Sequence, residues 1–167
     1  AKFKSLTKVV ADQFDSYTIL DSLHVNGKLT LGENIADLGG LTVAYVALQK
    51  ALEGKPRTLI DGFTPEQRFF LAWAQVWRNN ITPELARLRV NTDPHSPQIW
   101  RTNGPLSNMP EFQKAWGCSA SHPMVRPADK QAPTRAAADR DRSPAAGRLS
   151  AGGAAGGRRG SSAARTC

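Results

Sequence analysis

Along residues 1–116 apolar positions recur with helical spacing far more often than in alternation. Phe3, Leu6, Val10 and Phe14 predict an amphipathic helix over residues 2–14. Tyr17 to Leu23 reads as a loop. Leu23-His24-Val25, Asn26-Gly27 and Lys28-Leu29-Thr30 read as a short hairpin, because Asn-Gly accepts the positive φ angles of a type I′ turn. A long helix follows from about Leu31 to Glu53, with Ile35, Leu38, Leu41, Tyr45 and Leu48 mainly on one side. Thr30-Leu31-Gly32-Glu33 fits a capping box at its start, and Gly54 and Pro56 end it. Gly39-Gly40 lies inside it, and each Gly costs about 1 kcal/mol relative to Ala. The pair therefore predicts a closely packed neighbour or a kink.

Thr64-Pro65-Glu66-Gln67 is a strong helix start: an N-cap, a proline in the first turn and Gln at the capping-box position. The run Phe69 to Trp77 is apolar nearly all round and predicts a largely buried helix. Thr82-Pro83-Glu84 starts a short helix, Asn91 to Pro105 reads as a loop, and Ser107 to Trp116 as a last helix. The expected fold class is mainly α with one short hairpin. No internal repeat occurs.

Charge changes the picture only at one end. The chain has 167 residues with a formal net charge of +8. Residues 132–167 hold seven arginines and two aspartates, a net +5, with no aromatic and Leu149 as the one large apolar residue. Such a tail buries too little surface to offset its chain entropy, which predicts disorder. Residues 1–131 carry only +3 and show no basic stripe with interleaved aromatics. Nucleic-acid binding is therefore not expected of the body, and the tail offers only non-specific attraction to polyanions. No apolar run is long enough to span a membrane, and no secretory signal opens the chain. The start lacks a methionine, which suggests that residue 1 comes from within a longer chain. Cys118 and Cys167 allow at most one internal disulfide, and their spacing makes neither a zinc knuckle nor a redox pair.

Two constellations could carry chemistry. Glu33 and Asp37 are four apart on the long helix, which sets both carboxylates on one face about 6 Å apart along the axis. A cation or a donor would relieve their repulsion, and a carboxylate is an ordinary zinc ligand. On spacing alone, a capping role for Glu33 and a solvated helix face for Asp37 are the simpler readings. Asp93-Pro94-His95-Ser96-Pro97, with Trp100-Arg101 after it, holds a His between two prolines. His and Arg together could stabilise an oxyanion. A rigid surface turn is the simpler reading there. His24 and His122 have nothing nearby in sequence to make them ligands.

The stretch Val25 to Leu41, with Glu33-Asn34-Ile35-Ala36-Asp37 at its centre, closely resembles a signature of the neprilysin family of zinc metallopeptidases. That family includes endothelin-converting enzymes and bacterial oligopeptidases. Phe69 to Trp77, Thr92 to Pro97, Arg101, Pro110-Glu111-Phe112 and Met124 to Gln131 match in the same order. The resemblance covers essentially all of residues 1–131 and has a bacterial cast. It implies the helical C-terminal part of a thermolysin-like (gluzincin) catalytic domain, acting on peptide substrates. It implies that Glu33 is the third protein ligand of a catalytic zinc, and that Asp37 is a catalytic residue that hydrogen-bonds a zinc-ligating histidine and is also described as an acid in the reaction. It also implies that His95 stabilises the tetrahedral transition state and that Arg101 binds a substrate carbonyl. These implications outweigh the simpler readings of the four residues.

The family draws its other two ligands and its general base from a His-Glu-x-x-His motif, and no glutamate directly follows His24, His95 or His122. The resemblance implies that this motif lies upstream of Ala1, so the expectation is a C-terminal piece of a larger peptidase, inactive alone. The missing N-terminal part of the catalytic domain is then its first partner. The compartment stays open, because the family includes extracytoplasmic and cytoplasmic members; the lean is to an exported or membrane-anchored bacterial parent over a cytoplasmic one. Cys118 sits where animal members carry a disulfide cysteine, whose partner here is expected upstream. The match stops at Gln131, and a frameshift near codon 131 would account for the Ala/Gly/Arg-rich sequence after it. The rival expectation is a non-catalytic helical binding module with a basic tail. It predicts a stable soluble chain, whereas the fragment reading predicts exposed apolar surface.

Overall fold

The computed structural model describes residues 2–132 and Cys167. The expected disorder of the tail falls on residues 133–166, outside the described residues. Six α-helices and one two-stranded hairpin follow in the order α1 (Lys2–Asp15), β1 (Thr18–Leu20), β2 (Leu23–His24), α2 (Leu31–Ala51), α3 (Pro65–Val76), α4 (Pro83–Thr92), α5 (Gln98–Leu106) and α6 (Pro110–Trp116). A 3₁₀ turn at Ala128–Lys130 comes last. The mainly α expectation is therefore met.

The core is built where the apolar faces of these helices meet. Val10 and Phe14 of α1, Leu38 and Leu41 of α2, Phe70 of α3, Leu106 at the end of α5 and Met109 just before α6 form one buried cluster with Val25. Gly104 lets α5 approach α1, because a Cβ there would lie 2.5 Å from Cζ of Phe14. Trp100 ties α5 to the hairpin: its ring stacks on Tyr17 at 4.0 Å, and its Nε1–H donates to the Thr18 carbonyl at 3.0 Å. Beneath these helices Gln13 and Asn108 hydrogen-bond each other, and both donate to the Gly104 carbonyl. Asn108 also accepts from the amide of Ala132, which fastens the end of the described body to the core.

Several expectations are corrected, each for a local reason. The hairpin lies earlier, pairing Thr18 with His24 and Leu20 with Leu23 around Asp21 in a left-handed conformation. Asn26-Gly27 instead opens the approach to α2. The Asn26 side chain accepts from Leu29 N–H at 3.0 Å, and Gly27 N–H donates to Asp15 Oδ1 at 2.6 Å. A Cβ on Gly27 would collide with the Ala11 carbonyl, so the glycine serves close packing rather than a type I′ turn. The capping box at Thr30 does not form. The one expected at Thr64 does, with Thr64 and Gln67 bonding reciprocally. The expected loop over 91–105 is largely the helix α5. Pro97 stands just before its first turn, which a helix tolerates, whereas Pro105 lies inside its last turn. The helix α3 is less buried than its sequence predicts: Pro65 and Phe70 are buried, whereas Val76 is exposed. Nothing among the described residues packs against Gly39 or Gly40.

Candidate functional site

The site forms where α2 meets the segment from Asp93 to Arg101. On α2, Glu33 lies in the first turn and Asp37 one turn later, on the side that faces α5. The segment opposite begins where α4 ends at Thr92, bends at Pro94 and His95, and runs on to Pro97 before α5 starts at Gln98. It brings His95 and Arg101 to the two carboxylates.

Asp37 and Arg101 form a fork-to-fork pair. Arg101 Nε donates to Asp37 Oδ2 and Arg101 Nη2 to Oδ1, both at 2.7 Å. Their side chains are 8% and 13% exposed, so the pair is largely withdrawn from water. The guanidinium also lies over the Trp77 ring, 3.9 Å from its centroid, a cation–π contact at the C-terminus of α3. Glu33 and His95 sit differently. His95 Nε2 is 3.3 Å from Glu33 Oε2, and the side chains are 44% and 41% exposed. Arg101 Nη2 lies 3.8 Å from the same Glu33 oxygen.

Asp93 orients the histidine. Its Oδ1 accepts from the His95 backbone N–H at 3.0 Å and pairs with His95 Nδ1 at 2.7 Å. The His95 N–H holds the Asp93 carboxyl below the ordinary carboxylate range, against a smaller opposing effect of burial. Nδ1 is thereby committed to Asp93, and Nε2 faces Glu33 and the solvent. A cleft of about 170 Å³ opens beside this group, with Arg89, Asp93, His95 and Arg101 on its wall. It is too small for an oligopeptide, and pockets for small ligands are usually about twice that volume or more.

The four residues expected from the sequence thus meet at one place. Asp93 and Trp77 were not assigned roles there. Asp93 carried a signal, an Asx residue two before a histidine with proline between. Trp77 carried none, because its apolar run reads as core. His24 stays exposed on the hairpin. His122 is not isolated: its Nδ1 accepts from Met124 N–H at 3.1 Å and lies 3.4 Å from Cys167 Sγ. Cys167 forms a disulfide with Cys118, so the partner of Cys118 is not upstream as expected.

A catalytic zinc takes three protein ligands and keeps a position open. Around Glu33 the donors do not reach that number. Asp37 is engaged by Arg101 and Asp93 by His95. The one Cys/His/carboxylate group of three among the described residues is Cys118, His122 and Cys167, whose two sulfurs are bonded to each other. These residues fit one corner of a zinc site rather than a whole one.

Comparison with known proteins shows what the chain is similar to. The profile described as peptidase family M13 matches residues 1–132. An endothelin-converting enzyme homolog of Locusta migratoria is 46% identical over 125 residues, covering 73% of this chain and 17% of that protein. Neprilysin-1 of Caenorhabditis elegans is 42% identical over 130 residues, covering 74% and 17%. Among solved structures, the Mycobacterium tuberculosis zinc metalloprotease Zmp1 in complex with an inhibitor superposes with a TM-score of 0.76. It is 37% identical and is matched over 79% of this chain and 21% of its own. PepO from Lactobacillus rhamnosis superposes at 0.65 with 31% identity, over 78% and 19%. The chain spans about one sixth to one fifth of the length of these relatives.

Proposed function

The chain belongs to peptidase family M13, and on that premise we propose that residues 1–131 are the C-terminal part of a zinc metalloendopeptidase's catalytic domain. Its substrates are oligopeptides. The observation that carries the reading is the meeting of Glu33 and Asp37 with His95 and Arg101, the Asp37 and Arg101 partners being 64 residues apart. Glu33 contributes one zinc ligand, and the other two come from outside this chain, whose sequence has no His-Glu-x-x-His. The zinc, when bound, polarises the scissile carbonyl and acidifies a water.

The chain's own residues divide the remaining work. Asp37 keeps Arg101 by two hydrogen bonds, and each carboxylate oxygen has a further lone pair with which to orient a ligand imidazole. Arg101 spends two of its five N–H groups on Asp37, which leaves others for a substrate carbonyl. His95, anchored at Nδ1 by Asp93, presents Nε2. In its protonated form Nε2–H donates to the oxyanion that develops on the attacked carbonyl, while the Asp93 charge offsets the imidazolium. Among the described residues none stands in for the general base, and the sequence has no His-Glu-x-x-His, so on this reading the chain alone is inactive.

Uncovered apolar surface supports the fragment reading over a free-standing module. Phe3 and Leu6 of α1 with Ile35 and Val43 of α2 line an open apolar groove, and Val46, Val76 and Ile99 are exposed elsewhere. No helix among the described residues is long and apolar enough to cross a membrane.

The test is a separation of roles in the complete peptidase. Glu33→Gln is expected to lose bound zinc, by metal analysis, together with hydrolysis. His95→Ala is expected to keep zinc and lose turnover. A Glu33→Gln enzyme that retains both zinc and hydrolysis overturns the assignment.

A further inference from the structure

Glu33 and His95 are both close to half exposed, and a single contact joins them. A pair in that setting gains little from its own attraction, because water screens it and both side chains must be ordered. Something else must hold the two at a fixed separation. The next residue in each segment is buried. Asn34 is 1% exposed and Ser96 is 2%, and Ser96 Oγ donates to Asn34 Oδ1 at 2.7 Å across 62 residues of sequence. Asn34 Nδ2 in turn donates to Thr30 Oγ1 at 2.9 Å, and Thr30, 3% exposed, donates its hydroxyl hydrogen to the Asn26 carbonyl at 3.0 Å.

The relay has one self-consistent direction. The Asn26 carbonyl can only accept, so the Thr30 hydroxyl gives it a hydrogen and takes one from Asn34 Nδ2. The Asn34 amide oxygen then faces Ser96, whose hydroxyl must donate. Every buried side-chain group in the relay is satisfied only when Ser96 and Asn34 meet. Thr30 does not cap α2 with its side chain, because its backbone (φ −91°, ψ 2°) lacks the extended conformation of a capping residue.

From this geometry we infer that Asn34 and Ser96 are positioning residues, a buried latch that sets the distance between Glu33 and His95. The inference rests on the proposed roles of those two neighbours. Asp37 and Arg101 supply a second tie three residues further along α2. Two ties between the same two segments stop one from pivoting on the other. With the latch removed, the Asp37–Arg101 pair still joins α2 to α5. The turn from Asp93 to Pro97 is then free to swing His95 away from Glu33.

The test is amide hydrogen exchange by NMR on the 167-residue chain, comparing Ser96→Ala, Asn34→Leu and the conservative Ser96→Thr. Removing one partner of a buried hydrogen bond is expected to speed local opening about tenfold or more. In Ser96→Ala and Asn34→Leu the His95 amide should therefore exchange at least that much faster, while amides in α1 and α5 keep their rates. Ser96→Thr should restore the slow rate. Unchanged exchange at His95 overturns the latch, and so does an equal loss of protection across α1, α2 and α5. If Asn34→Leu fails to fold, Ser96→Ala, which deletes one oxygen, decides the matter alone. In the complete peptidase, Ser96→Ala should lower kcat about tenfold with KM within about twofold, the mark of a misplaced transition-state donor rather than lost substrate binding. Absence of zinc-dependent hydrolysis in the unmutated complete peptidase would sink the proposed function and leave the exchange result standing on its own.

Discussion

The two acid–base pairs of the site make an instructive contrast. Asp37 and Arg101 are largely buried, share two 2.7 Å hydrogen bonds and rest against an indole face. Glu33 and His95 are close to half exposed and meet through one longer contact. The first pair is complete within this chain, and taking away either partner strands a charge. The second is open to the outside, as the roles proposed for it require. One chain thus holds both a pair that already satisfies itself and a pair left open, and they respond to different perturbations.

The largest expected effect is on chemistry at the open pair. In the complete peptidase, His95→Ala should cut kcat by about 10²–10³, the usual cost of one oxyanion donor, with KM little changed. A raised KM at unchanged kcat would instead make His95 a binding residue. Next comes the closed pair. Asp37→Ala should destabilise the chain by about 3 kcal/mol in urea unfolding, because Arg101 keeps its charge without its partner. A loss under 1 kcal/mol would show that water reaches the pair freely. Asp93 comes third. Its carboxyl titrates below the ordinary value of 3.8, so it contributes stability that is fully present above that value and is lost as pH falls through the lower folded value. The His95 amide shift should follow that acid titration, and Asp93→Asn should abolish it at a cost of about 1 kcal/mol. The smallest effect is at Glu33, where Glu33→Gln should move stability by less than about 0.5 kcal/mol, as expected for an exposed group. A large loss there would erase the contrast.

Legibility in the sequence followed how local each determinant is. The helix α3 could be read from Thr64, Pro65 and Gln67, because its capping box is made within four residues. The same motif at Thr30 misled, because the Thr30 backbone (φ −91°, ψ 2°) is not extended as that of Thr64 is, and its hydroxyl bonds Asn26 and Asn34 instead. The turn at Asn26-Gly27 misled for a related reason: Gly27 is required by the Ala11 carbonyl rather than by a hairpin. The helix α5 was hidden by prolines that stand at its ends. Glu33, Asp37, His95 and Arg101 were legible through their resemblance to a family pattern, whereas their spacing favoured plainer roles. Asp93, Trp77, Asn34 and Ser96 gain their meaning only from contacts across the fold.

The most direct test of the account is zinc-dependent peptide hydrolysis by the purified 167-residue chain, measured beside its Glu33→Ala variant with bound zinc determined in both. The account predicts no hydrolysis and no zinc whose binding depends on Glu33. Stoichiometric zinc and turnover in the unmutated chain, both abolished by Glu33→Ala, would contradict it, because the site would then be whole.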